Sequence, residues 1–249
     1  MTRSSAADPE DGGGGLHLSD HAYAFLSDRI ERCELQPGSW LNEREASAAL
    51  GMSRTPFRQA LHRLALEGLL VSVGRRGVQI TRIDLPDIQD NLEVRIALEV
   101  ALVRLTLESG LAVDVRRLEE LVAVMRSSSR GTDPRPFLEA DEQFHLALAE
   151  ASGNERAMEP LRKAWVHINR PRYLEPPGRT AMRRSVKQHA EILAAVKAAD
   201  ADRAEAAMRG HIRSATELFG DLARRLPDAF AAEEDSPAPA PLATAPSAS

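Results

Sequence analysis

The chain has 249 residues, 43% hydrophobic and 4% aromatic, enough to bury a substantial core built from Leu, Val, Ile and Ala, which favours helices and two domains. Its single cysteine, Cys33, excludes an internal disulfide, and no run approaches the roughly eighteen apolar residues of a membrane span, so a reducing cytoplasmic setting with no membrane partner is expected. A net charge of −5 excludes a protein that coats nucleic acid along its whole length.

In chain order, Met1 to Gly15 is polar, ends in four glycines and lacks an apolar export segment, so residues 1–15 are expected to be a disordered leader. Ser19 is placed to cap a helix running to about Cys33, with Ala22, Leu26, Ile30 and Cys33 on its buried side. After the turn Gln36-Pro37-Gly38, Asn42 with Glu45 forms a capping-box pattern, and Ala46, Ala49 and Leu50 give the short helix an apolar face that ends at Gly51. Thr55 is the expected cap of a second helix, with Pro56 at its first position. Phe57, Ala60, Leu61, Leu64 and Ala65 share one face of that helix, leaving Arg54, Arg58, Gln59 and His62 on the other. Gly68 closes it. Leu69 to Val73 and Val78 to Ile80 then alternate like two strands around Gly74-Arg75-Arg76-Gly77. Residues 16–82 thus read as a winged helix-turn-helix. Between Gln36 and Arg82 lie seven Arg and no Lys against three Glu, a local charge of +4 that leaves −9 for the remainder. A basic reading module on an acidic body fits binding to double-stranded DNA.

From Asp84 to about Leu226 the pattern is helical throughout, so the fold class is mainly α: an N-terminal winged helix-turn-helix followed by an all-α helical bundle over residues 84–226. Asp84-Leu85-Pro86-Asp87 opens a long helix that ends near Glu108 and is apolar on more than one side. Asp114 caps the next, and Ser127 to Pro136 is a loop. Further helices are expected at about 136–151, 155–169, 181–199 and 201–225, with Pro160 kinking or restarting the second of these. Residues 227–249, rich in Pro, Ala and Ser, are expected to be a disordered tail.

The polar residues on the apolar stripes carry the chemistry. Asp141 and His145 lie one turn apart among Phe137, Phe144 and Leu148, His189 lies among Val186, Ile192 and Leu193, and His211 among Ala204, Met208 and Ala215. One Asp and three His suit a divalent ion, zinc foremost, with nickel, manganese or iron as other ions such a set can hold. The competing reading is a hydrogen-bonded core histidine at each position, with Asp141 and His145 a simple buried pair. Arg95 and Glu99 form an i, i+4 pair that, taken alone, is a surface ion pair worth under about 1 kcal/mol.

The run LNEREASAALGMSRTPFRQALHRLALEGLLVSVGRRGVQI resembles the DNA-binding domain of GntR-family bacterial transcription regulators. The resemblance implies that Arg44, Arg54, Arg58 and Gly77 meet DNA and that Ser53 and Thr55 bond phosphate; Arg75 and Arg76 at the wing tip are expected to add contacts blind to sequence. The segments ADEQFHLAL, KQHAEIL and MRGHI resemble the metal-binding pattern of the FCD ligand-binding domain, which implies Asp141, His145, His189 and His211 as ligands. LEVRIALEVALVRL is similar to that domain's opening helix, which implies Arg95 as an anchor for an effector carboxylate, held by Glu99, with Asn169 and Arg172 as further effector-binding candidates. Ala199 stands where the family commonly has Gly.

The implied function is a metabolite-responsive regulator, a repressor in the usual family arrangement, acting as a homodimer on an inverted-repeat operator and answering to a small carboxylate. Two alternatives remain at this level: a purely structural metal, and a metal-dependent enzyme using the ion as a Lewis acid. The absence of HExxH, GxSxG and a Gly-rich phosphate loop speaks against catalysis, so no catalytic residue is expected.

Overall fold

The structure, a computed structural model, describes residues 12–73 and 77–225. The reading head is built from helix α1 (Gly12–Glu31), strand β1 (Trp40–Leu41), helices α2 (Glu43–Ala49) and α3 (Arg54–Leu66), and strands β2 (Leu70–Ser72) and β3 (Val78–Ile80). The three strands form one antiparallel sheet in the order β1-β3-β2, with Trp40 opposite Gln79 and Leu70 opposite Ile80. Ala22, Leu26 and Ile30 of α1 pack with Phe57, Ala60, Leu61 and Leu64 of α3 and with Leu69, Leu70 and Ile80. Each fully buried aliphatic side chain there contributes roughly 1.5–3 kcal/mol.

Several local expectations are corrected. Helix α1 begins at Gly12, so Ser19 is not its cap but a buried residue within it. A helix already anchored in the core extends backward one hydrogen bond at a time, even across glycines. Met1 to Asp11 and the tail from Leu226 lie outside the described residues, as do Arg75 and Arg76. Cys33 lies beyond α1, in a left-handed turn at φ 52°, and is buried as expected. Ser53, not Thr55, occupies the cap position of α3, so Pro56 is its third residue. At that place the missing N–H is still among those with no partner inside the helix. Ala65 is exposed. Asn42 caps α2 as expected, accepting from the backbone N–H of Arg44 and Glu45.

The second unit comprises α4 (Leu85–Glu108), α5 (Val115–Ser128), α6 (Arg135–Glu150), α7 (Glu155–Leu174), α8 (Arg179–Lys197) and α9 (Ala201–Arg225). Asp84 and Asp114 flank α4 and α5 as expected, and the Asp114 carboxylate accepts from Arg117 N at 2.9 Å. Helix α7 runs unbroken through both Pro160 and Pro171, so Pro160 does not restart it; side chains packed around Leu161, Ala164 and Trp165 hold the helix across the lost hydrogen bond. The main core gathers Val100 and Val103 of α4, Phe137 and Phe144 of α6, Ile192 and Val196 of α8 and Met208 and Ile212 of α9. Helices α8 and α9 meet at a tight turn in which Ala199 takes φ 51°. Among the described residues no helix is long and apolar enough to cross a membrane.

Candidate DNA-reading face and metal centre

On the reading head, Arg44, Ser53, Arg54, Thr55 and Arg58 are all exposed. The Ser53 side chain makes no capping bond, so its hydroxyl and the open N–H groups of the first turn of α3 face outward, where a helix N-terminus favours an anion. Arg58 Nε donates to Glu43 Oε2 at 3.1 Å, which leaves both terminal nitrogens of the guanidinium free to project. Gly77 adopts φ 109° at the base of the wing, a region closed to most side chains.

In the helical unit, α6, α8 and α9 bring Asp141, His145, His189 and His211 together, and one ligand atom from each lies within 4.8 Å of all the others. Asp141, His145 and His189 are buried and His211 is half-buried. Each imidazole is held at Nδ1 by an oxygen: His145 by Glu99 at 2.5 Å, His189 by the Ser185 carbonyl at 2.9 Å, and His211 by Gln188 Oε1 at 3.0 Å. These acceptors commit the Nδ1 proton and turn every Nε2 lone pair inward. His189 Nε2 then lies 3.2 Å from His145 Nε2 and 3.3 Å from Asp141 Oδ1. Lone pairs at that spacing repel unless a proton or a metal ion lies between them. The donor set therefore fits a divalent ion.

Electrostatics reinforces this. Burial lowers the His189 pKa to about 4 and holds His211 well below its ordinary value, with the neighbouring imidazoles adding to the effect. Burial would raise Asp141, but Arg172, then the histidines, outweigh it and hold the carboxyl well below the usual range. Ligand-ready forms thus prevail at neutral pH for these residues.

Beside these four residues is a cavity of about 60 Å³ whose lining includes Arg95, Asp141, Arg172, His211, Met182 and Phe219. Arg95 and Glu99 do not form a surface pair: they are 3% and 2% exposed, with Nε to Oε1 at 2.6 Å. Long-range packing of α4 against α6 and α7 buries them, which local spacing does not reveal. The Arg95 guanidinium stacks on Trp165 with its carbon 3.7 Å from the ring centre, and its Nη2 is buried without a partner. Arg172 also lines the cavity and donates from Nη2 to Asp141 Oδ2 at 2.7 Å. Asn169 does not line it; its side chain is turned toward Glu31 and Glu142.

Sequence reasoning missed the supports. Gln188 and Ser185 precede His189 by one residue and one turn, a signal present in SVKQHAEIL but silent until the helices are packed. His167, which had no evident role, joins the two units: Nδ1 to Asp87 at 2.6 Å and Nε2 to the Glu67 carbonyl at 2.9 Å.

The family model described as bacterial regulatory proteins, gntR family, matches residues 18–80, and the FCD domain model matches residues 90–214. A Streptomyces ambofaciens protein described as an uncharacterized HTH-type transcriptional regulator in an unstable DNA locus is 33% identical over 215 residues, 85% of this chain and 89% of that protein. The HTH-type transcriptional repressor RspR of Escherichia coli is 25% identical over 216 residues, 87% of this chain and 95% of RspR. Among solved structures, E. coli McbR/YncC shares the fold with a TM-score of 0.72 at 22% identity, over 84% of this chain and 98% of that one. With a reading head and a helical domain that both match, the chain belongs to the GntR family of bacterial transcription regulators and is a DNA-binding regulator of the FCD type.

Proposed function

We propose that this regulator senses a small carboxylate at a metal centre formed by Asp141, His145, His189 and His211, and that its two working units are the head at 16–82 and the sensor at 84–226. The observation that carries the proposal is the buried, unpartnered Nη2 of Arg95, a residue that lines the same cavity as Asp141 and His211. A buried guanidinium N–H left without an acceptor costs about 1–3 kcal/mol, and an anion in the cavity removes that cost. The metal, zinc foremost, supplies a Lewis-acidic attachment point for the acid. Arg95 and Arg172 select charge, while Met182 and Phe219 restrict size.

Arg54 and Arg58 read bases, with Arg44, Ser53, Thr55, Gly77 and the wing arginines Arg75 and Arg76 positioning the head on phosphate. A homodimer on an inverted repeat is supported by one reading helix per chain and by the exposed stripe of Val94, Ala97, Ala101 and Leu105 along α4. A repressor role is supported by the name of the E. coli relative, a transcriptional repressor.

Elemental analysis of purified protein, wild type against the His145→Ala/His189→Ala double variant, tests the centre, and thermal shift of zinc-loaded protein across a panel of two- to six-carbon acids tests the cavity. Metal present in the wild type and lost in the variant, with stabilisation by acids that Arg95→Met abolishes, is the expected result. Equal metal content in both proteins overturns the centre. Acid stabilisation that survives Arg95→Met overturns the assignment of the anchor.

A further inference from the structure

Arg172 lines the cavity and bonds Asn169, which in turn reaches the reading head at Glu31. One terminal nitrogen holds Asp141 Oδ2 at 2.7 Å and the other donates to Asn169 Oδ1 at 3.0 Å. Asn169 is 0% exposed. Its amide nitrogen points the opposite way, donating to Glu31 Oε1 on α1 at 2.7 Å and to Glu142 Oε2 on α6 at 2.9 Å. Arg172 sets the orientation: a flipped amide would set its NH2 against a guanidinium. Both amide protons and the carbonyl oxygen are therefore committed, and the residue joins three elements in one way only.

The same turn of α7 holds the rest of the head. His167 Nε2 reaches the Glu67 carbonyl at the end of α3, Arg170 donates to the Thr81 hydroxyl and carbonyl just beyond β3, and the Cys33 thiol donates to the Arg170 carbonyl at 3.2 Å. Pro171, in the middle of this turn, has no N–H for the His167 carbonyl, so α7 lacks one of its hydrogen bonds beside Asn169 and Arg172.

We infer that Asn169 is the relay by which the state of the cavity reaches the reading head, through the chain Asp141–Arg172–Asn169–Glu31 rather than along α4. The inference rests on the proposed acid-binding role of the cavity. An anion there competes with Asp141 for the Arg172 guanidinium. As Arg172 turns, the Asn169 oxygen loses the donor that fixes it, and the Glu31 carboxyl, facing Glu142, loses its settled hydrogen bond. Helix α1 is then less firmly held on α7, and α1 is the helix on which α3 packs. Two sites become coupled through a hydrogen-bonded element with two arrangements, the physical requirement for a relay.

A double-mutant cycle on full-length, zinc-loaded protein tests this without needing the natural effector. Operator affinity is measured by fluorescence anisotropy on a site obtained by selection from random DNA, and hydrogen exchange is followed in the last turn of α1. Arg172→Ala, Asn169→Ala and Glu31→Ala are each expected to weaken operator binding by on the order of tenfold and to speed exchange at residues 28–33. Any two together are expected to do no more than one alone. Glu31→Gln, whose amide oxygen still accepts from Asn169, is expected to remain near wild type, an outcome that a general loss of stability does not produce. If Asn169→Ala does not fold, the Arg172 and Glu31 pair completes the cycle. Additive losses, or unchanged affinity in Glu31→Ala, overturn the relay. Because none of these measurements adds an acid, a failed acid panel strikes the sensing proposal, whereas an additive cycle with acid binding intact strikes the relay alone.

Discussion

Replacing Glu99 tests the design of the proposed metal centre at a residue outside its four candidate ligands. Burial alone would raise its pKa, but Arg95 and His145 outweigh burial and hold it at about 2. The carboxylate accepts Arg95 Nε at 2.6 Å and His145 Nδ1 at 2.5 Å, with both partners also buried. Glu99→Ala would strand a buried guanidinium whose Nη2 already lacks a partner, and removing one member of a buried ion pair costs about 3–5 kcal/mol. Glu99→Gln keeps the volume and one acceptor but sets an NH2 against Arg95 or His145, a cost of about 1–3 kcal/mol. Because the oxygen that orients His145 is lost or weakened, zinc affinity is expected to fall about 10- to 100-fold in either variant, equivalent to roughly 1.4–2.7 kcal/mol. Urea unfolding of metal-free protein reads the first cost, and competition against a chelating dye reads the second. Glu99→Gln with zinc affinity within about twofold of wild type would refute the claim that this carboxylate sets the imidazole.

Arg54→Ala and Arg58→Ala should each weaken the best operator by about 1–3 kcal/mol and relax discrimination at one base pair; competition anisotropy with single-base operator variants reads both effects, and a uniform loss across all variants would assign these residues to phosphate. Burial and then the neighbouring Glu142 raise the Glu31 pKa to about 8, from 4.5. The folded state therefore binds more protons than the unfolded state between those values, and stability contributed by this residue falls as pH rises from about 4.5 through about 8. Melting curves across that window should flatten in Glu31→Gln, and an unchanged slope would exclude Glu31 as the source. Ala199→Gly should stabilise the protein by about 1 kcal/mol, because the left-handed turn at φ 51° is strained for any residue with a Cβ; chemical denaturation checks the sign.

Much of the reading head was legible because its signals are local. A cap reaches two or three residues and an apolar face repeats every turn, so Asn42, Leu64 and the wing strands stand out from the sequence. The two-residue strand β1 is too short to announce itself and exists only because β3 offers an edge. Asp141 and His145 could be placed on one buried face from spacing alone, and so could the inward faces of His189 and His211; that all four converge depends on how α6, α8 and α9 pack. Glu99 and Arg95 looked superficial because an i, i+4 ion pair has the same spacing whether water or Trp165 covers it. His167 and Glu31 gave no signal, since their partners lie 100 and 138 residues away in the chain.

The grip of α7 on α1, on the end of α3 and on the segment after β3 bears on how such regulators diversify. Winged heads are commonly pictured as cassettes that recombination can join to any sensor through a linker. Here His167, Asn169 and Arg170 are sensor residues shaped to the head's own Glu67, Glu31 and Thr81. A graft of this head onto a foreign helical domain would keep most of its core but lose the packing of Val166 and the bonds to Glu67, Glu31 and Thr81 unless those matched positions travelled with it. Substitutions on the exposed face of α3 leave these contacts untouched, whereas a swap of whole domains breaks them.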